Sequence, residues 1–390
     1  MIQSLKSYDI DEVAGEHTSV VLNSKIYDYD LEKHDLSTML AEKGISRSFH
    51  EGLYWLLQES GYTETINSDK ECVRQMKAFL RKAYIQQHME KVFSDKTIGR
   101  WLSGEGKPDY SSRSRNAVFE MMFALKVDQM HSIQFFQKYY YAQPFNFRNS
   151  NECVYFWCLN HQKAWSDVEF ICRRVDELRQ EMRNTTSFTN KTILIGKALE
   201  ELDTEDEVAT YIAANLNPEE VYFQTAKQVF SELLEEAKEL AASTYDTLDK
   251  NEAFKIDSIG YGKQKHSVDF LLAVIFGTKE KVTFKNDCDM LIRENFPTKE
   301  QFSRCVKDDA TNADILRKIL ILIMFFITYA ENSDTSLDDF YSNANYQLEE
   351  CGFPILYPAN PYDRLFLTCI FNANCEFGPL EYFREIFNPD

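Results

Sequence analysis

The chain has 390 residues, 44% of them hydrophobic, with 29 Phe and 21 Tyr, which excludes a disordered chain and supplies material for sizeable cores. Its 43 Lys and Arg face 62 Asp and Glu, and the resulting formal charge of −19 opposes phosphate except where the sign reverses locally. Only 13 Gly and 9 Pro are present, too few for a turn-rich all-β architecture, so long helices are expected.

From the N-terminus, residues 1–34 are polar, with two short patches, Thr18–Leu22 and Lys25–Tyr29, that suit a small hairpin or an arm. Helical spacing begins at Asp35, and the stripe Leu53, Leu56, Leu57 stops at Gly61, a C-terminal cap position. A helix over Asp69–Val92 carries Val73, Met76, Leu80, Tyr84 and Ile85 at helical spacing. Ser94 and Asp95 then open a short helix through Leu102, closed by Ser103, Gly104, Gly106 and Pro108. Helices at Arg113–Leu125 and Gln129–Tyr140 follow, and Gln143–Asn146 breaks the pattern. Further helices are expected at Asn149–Leu159, Ser166–Arg183, Asn190–Leu202 and Pro218–Ala242, the last bearing Glu232, Glu235, Glu236 and Glu239 as a solvated face. After a loop at Asn251–Lys265, helices are expected near Ser267–Phe276, Ala313–Ala330, Leu337–Glu350, Pro361–Phe371 and Pro379–Phe387. The most apolar run, Ile319–Ala330, is too short to cross a bilayer core of about 30 Å and reads as a buried helix.

Nine Cys are scattered without a C-x-x-C pair, and the spacings Cys153/Cys158 and Cys369/Cys375 suit no common zinc site. The opening Met1–Ile10 lacks the apolar stretch of a secretory signal. Free thiols in a soluble, cytoplasmic protein without cofactor or membrane partner are therefore expected.

One stretch departs from the acidic background. Asp69–Arg115 holds 11 Lys and Arg against 6 Asp and Glu, the local reversal that a phosphate-binding surface needs. On the short helix inside it, Ile98, Trp101 and Leu102 share the face that docks on a neighbour. Lys96, Thr97 and Arg100 share the other, with Lys96 and Arg100 one turn apart. Lys91, Lys107, Arg113 and Arg115 flank them as phosphate contacts, which position a protein on DNA without specifying sequence.

These residues resemble the recognition-helix end of an Xre/Cro-type helix-turn-helix. Ser94 is the small cap, Thr97-Ile98 and Arg100-Trp101 follow, then Gly104, a basic loop to Pro108, and a later helix closing on Ala124-Leu125. The resemblance covers about residues 80–136 and implies a DNA-binding module near 69–140, with Lys96, Thr97 and Arg100 in the major groove and dimers on paired half-sites. Two features depart from the family: Lys91-Val92-Phe93 stands where the turn usually has Gly, and Tyr110–Arg115 makes the following loop longer and more basic.

Arg81 and His88 have the Arg-x6-His spacing that resembles the catalytic motif of HEPN-type ribonucleases, with Lys82 where a polar residue often follows the Arg. Gly260, Gly262 and Lys263 lack the spacing of a phosphate loop, and Lys285, Asp287 and Asp289 have no His beside them. The aromatic block Gln134–Phe147 suits packing better than base stacking. Cys351–Arg364, with Asn360-Pro361 opening a helix, reads as a structural corner and is similar to segments of uncharacterised helix-turn-helix-bearing proteins of Gram-positive mobile elements.

The expected architecture is mostly α: a multi-domain helical protein with an Xre-like module near its N-terminus and a larger acidic helical region. Its parts are an arm at 1–34, helical domains at 35–145 and 146–250, and a C-terminal helical domain at 251–390. The leading functional expectation is a DNA-binding regulatory protein, not an enzyme, whose acidic region binds a partner or senses a signal. The alternative is an acidic protein that occupies a basic groove of another protein as a nucleic-acid mimic, and the third is a HEPN-like ribonuclease.

Overall fold

Short polar side chains mark where helices begin. Ser48, Ser94, Ser111, Asp128, Thr204, Ser267 and Ser336 each accept a backbone N–H from the turn that follows, satisfying donors that a helix leaves open. Helix ends rely on glycine less than usual. His88, Lys126 and Gln162 adopt φ of 54°, 56° and 52°, and the N–H of the next residue returns to the last turn, as from Met89 to Tyr84 O (3.0 Å) and Val127 to Met122 O (2.9 Å).

The computed structural model describes residues 36–42, 44–89, 94–109, 111–182, 192–216, 224–247, 265–277, 290–306, 313–331, 334–373 and 377–387, and no strand occurs among them. The expected arm at 1–34, and the groups at 260–263 and 285–289, lie outside the described residues. In chain order the first helices are α1 (Leu36–Ala41), α2 (Phe49–Glu59), α3 (Lys70–Gln86), α4 (Asp95–Leu102), α5 (Ser112–Ala124) and α6 (Gln129–Phe135), which runs into a π-helical turn, Phe136–Tyr140. Next come α7 (Ser150–Asn160), α8 (Trp165–Met182), α9 (Thr192–Glu200), α10 (Glu205–Asn215), α11 (Gln224–Thr247) and α12 (Val268–Phe276). The last are α13 (Met290–Asn295), α14 (Lys299–Val306), α15 (Ala313–Glu331), α16 (Leu337–Glu350), α17 (Pro361–Asn372) and α18 (Pro379–Phe387).

Near the N-terminus α2 packs on α4, α6 and the π-helical turn, and α3 packs on α4 and α5. Gly52 permits the contact with the π-helical turn, because a Cβ there would lie 2.4 Å from Tyr139 Cβ. The aromatic block packs rather than exposing its rings: Phe135, Phe136, Tyr140, Phe145 and Phe147 are buried, with Phe136 4.8 Å from Phe119 and Phe147 4.9 Å from Phe156. In the middle of the chain α8 packs on α10, an element the sequence pattern does not anticipate. Its first turn, Glu205-Asp206-Glu207, suits the positive end of a helix dipole, while Val208, Ala209, Ile212 and Ala213 are buried.

Toward the C-terminus α11, α14, α16, α17 and α18 surround α15, whose Ile319, Ile321, Ile323, Phe325 and Phe326 are wholly enclosed. Among the described residues no helix is long and apolar enough to cross a membrane. The start of α15 also carries charge into the interior. Arg317 gives two hydrogen bonds to Asp363 (2.7 and 2.9 Å) and one each to Pro354 O and Ile355 O (both 2.8 Å), pinning the Cys351–Arg364 corner. Asn360 caps α17 and Pro361 takes its first position, as expected. Arg364 reaches back to Met39 O (2.8 Å) and Leu40 O (2.7 Å), closing the chain end onto α1. One continuous hydrophobic cluster runs from Leu40 to Phe387 and takes side chains from 35–145, 146–250 and 251–390 alike. The seven described cysteines are free thiols.

Candidate nucleic-acid interface

The basic island folds as two helices joined at a corner. On α3, Met76, Leu80, Ala83 and Tyr84 are buried against α4 and α5. On its outer side Lys70, Arg74, Lys77 and Arg81 fall at positions i, i+4, i+7 and i+11, one face of a helix, with Lys82 exposed beside them. Arg74 is balanced by Glu71 (2.7 Å), and Arg81 reaches Asp95 at the head of α4 (3.2 Å).

On α4 the expected division of faces is present. Ile98, Trp101 and Leu102 are buried, Trp101 meeting Phe49 edge-on at 5.8 Å and Leu102 O accepting from Tyr54 Oη (2.6 Å). Lys96 and Arg100 are exposed and Thr97 is half-buried, its backbone N–H donated to the Ser94 cap (3.2 Å). Arg100 leans over its own C-terminal loop and donates to Glu105 O (3.3 Å). Lys77 crosses from α3 above Gly99, where a Cβ would lie 3.7 Å from both its Cδ and its Nζ. The α3 stripe and the outer face of α4 therefore form one continuous basic surface.

The connection is longer than the three or four residues of a tight helix-turn-helix. Residues 87–94 separate α3 from α4, and Lys91 lies outside the described residues, as do 90, 92 and 93. Those positions include Lys91-Val92-Phe93, where the resemblance expects a Gly; His88 adopts a left-handed φ of 54° past the end of α3, which stops at Gln86 rather than continuing to Val92. Arg81 and His88, the ribonuclease-like pair, are both exposed; Arg81 turns to Asp95, and His88 lies past the helix end.

No family model matches this chain, nor does any curated protein or solved structure.

Of the expected phosphate contacts, Arg115 is buried and Lys107 is half-buried. Arg115 is 6% exposed on α5 and holds Glu152 with two bonds (2.9 and 2.7 Å), Asp314 with another (3.2 Å) and Gln143 O with a fourth (2.8 Å). Those two carboxylates raise its pKa against the opposing cost of burial, and the guanidinium cannot leave them for a phosphate. Lys107 is also turned inward: its Nζ donates to Asn295 Oδ1 at the end of α13, and burial lowers its pKa to about 8, with Glu294 opposing the shift. Lys318 donates to the carbonyl of that same Asn295 (2.9 Å), so two amines meet at one neutral residue. Arg113, in the first turn of α5, remains exposed.

Lys70, Arg74 and Lys77 on the outer side of α3 were not singled out from the sequence; their helical spacing, applied to charge as it is to apolar residues, is the signal that finds them. Among the described residues no group of three or more His, Cys, Asp and Glu could hold a metal ion.

Proposed function

We propose that this chain is a DNA-binding regulatory protein that grips duplex DNA through the outer faces of α3 and α4. The observation that carries the reading is the continuous basic surface made where Lys77 lies over Gly99, in a protein whose total charge is −19. Lys96, Thr97 and Arg100 are the base-reading candidates, and Lys70, Arg74, Lys77 and Arg113 hold phosphate. One eight-residue helix buries too little surface for tight specific binding, so a homodimer on paired half-sites completes the proposal. The Xre-like module near 69–140 acts here as a functional region seated on the acidic helices, because Arg115 is held by residues of both later segments.

Fluorescence anisotropy against random duplex and the chain's own upstream region tests this. With four to six phosphate contacts, log K should fall against log salt with a slope of about −4 to −5. The Lys96→Ala/Arg100→Ala variant should lose preference for the better duplex, whereas Arg74→Ala/Lys77→Ala should weaken all duplexes alike and reduce the slope by about 2. Absence of binding at low salt refutes the proposal.

A second reading rests on a different surface. Glu232, Glu235, Glu236 and Glu239 of α11 are exposed along one side, a clustered negative face suited to the basic groove of a partner protein. It predicts salt-sensitive displacement of DNA from such a partner, with reversal of those four charges abolishing the effect.

A further inference from the structure

Glu120 lies in the second half of α5, 9% exposed, and its Oε2 has no hydrogen-bond partner. One turn earlier on the same helix, Asn116 Oδ1 is buried without a donor as well. Residues four apart share a helix face, so two buried acceptor oxygens without a donor belong to the same face of α5.

The surroundings supply no compensating charge. Tyr84 of α3 and Tyr155 of α7 face Glu120, and burial together with its charge pushes both phenols up. From α8 the Cys172 thiol faces Tyr155. Among the described residues no Lys, Arg or His shifts the Glu120 carboxyl; burial alone moves it, up to about 7. An ionised carboxylate so placed retains its desolvation cost, and Asn116 Oδ1 retains its own. A single proton removes both penalties, because a neutral carboxyl is a donor that an amide oxygen can accept.

We propose that Glu120 is a proton-binding site of the folded protein, its carboxyl donating to Asn116 Oδ1, so that proton loss weakens the α3–α5–α7 core beneath the basic face. The inference does not depend on DNA being the ligand. Its sign is fixed by linkage: the carboxyl titrates higher in the folded chain than in the unfolded one. The stabilisation is therefore complete below the ordinary value of 4.5 and is lost as pH rises through about 7.

The test compares denaturant unfolding of the full chain with that of Glu120→Gln, an isostere of the protonated form, from about pH 5 to about pH 8.5. A proton held tenfold more tightly by the folded chain favours folding tenfold, so the interval from 4.5 to about 7 sets a ceiling of about 300-fold. The two proteins should agree within about fivefold at the acid end. At the alkaline end the variant should exceed the wild type by about 30- to 300-fold, with the change running from the ordinary value of 4.5 to about 7 and its midpoint between the two. Asn116→Ala should move that midpoint downward, because it removes the acceptor of the proton. A ratio that does not vary with pH, or a midpoint near that of a free carboxylate, overturns the proposal. So does a midpoint that rises in Asn116→Ala, which would show the amide donating to the carboxylate. If Glu120→Gln does not fold, Glu120→Met carries the same comparison.

Discussion

Arg115→Ala separates an internal role for this residue from a role on DNA. The substitution removes five hydrogen bonds at 2.7–3.4 Å and a guanidinium that lies 5.1 Å from the centre of the Phe136 ring. What remains are two buried carboxylates whose neutralising charge has gone. Glu152 keeps the Asn146 N–H (2.8 Å) and Asp314 keeps the Gln143 N–H (2.6 Å), so neither loses every donor. Breaking a buried ion pair from one side costs about 3–5 kcal/mol, and the partial compensation places this case in the lower half of that range. Urea unfolding followed by tryptophan fluorescence reads the loss directly. Adding Glu152→Gln should recover at least about 1 kcal/mol, since it removes one stranded charge. Arg115→Lys, which cannot bridge both carboxylates in forked geometry, should fall between wild type and Ala. A loss below about 0.5 kcal/mol, the range of ordinary surface substitutions, accompanied by weaker DNA binding, would refute the internal assignment and restore Arg115 as a phosphate contact.

Backbone conformation and buried charge supply two more tests. Lys126 adopts a left-handed φ of 56° at the end of α5, a conformation that costs a side chain about 1–2 kcal/mol; Lys126→Gly should raise stability by about 0.5–1 kcal/mol in thermal unfolding, and a loss would show that the side chain contributes more than the strain. Lys107 titrates near 8 in the folded protein but at its ordinary value of 10.5 when unfolded, so its contribution to stability should increase by about 1–3 kcal/mol as pH rises across that interval. Lys107→Met should lack the rise, and an identical pH profile in the two proteins would contradict the inward placement of Lys107.

Elements governed by local chemistry were legible in the chain. Ser94 caps α4, Asn360-Pro361 opens α17, Gly61 follows the end of α2, and Ile319–Ala330 is a buried helix. The division of α4 into an apolar face and a Lys96/Arg100 face was equally plain, because one helical period decides it. What could not be read was the destination of charge. Nothing local distinguishes exposed Arg113 from Arg115 two residues later, since the deciding carboxylates, Glu152 and Asp314, are 37 and 199 residues away. α10 was hidden for a different reason: its first turn is entirely acidic, and the buried stripe behind it is made largely of small residues. The end of α3 was hidden because the usual mark, a glycine in the left-handed position, is missing at His88, whereas the apolar pattern placed the ends of α5 and α7 to within a residue without one.

The reach of the Arg115 and Arg364 contacts has a consequence during synthesis. A ribosome adds about 5–20 residues each second, so Arg115 is made on the order of 10–40 s before Asp314, its partner 199 residues downstream. Arg364, which holds the carbonyl of Met39, is separated from it by 325 positions, and α1 waits longer still. The nascent basic region therefore leaves the exit tunnel with an interior cation incompletely matched and its first helix unanchored. Final closure waits until Arg364 has emerged. A message truncated before Asp314 should yield chains that lack both closures and are more readily proteolysed.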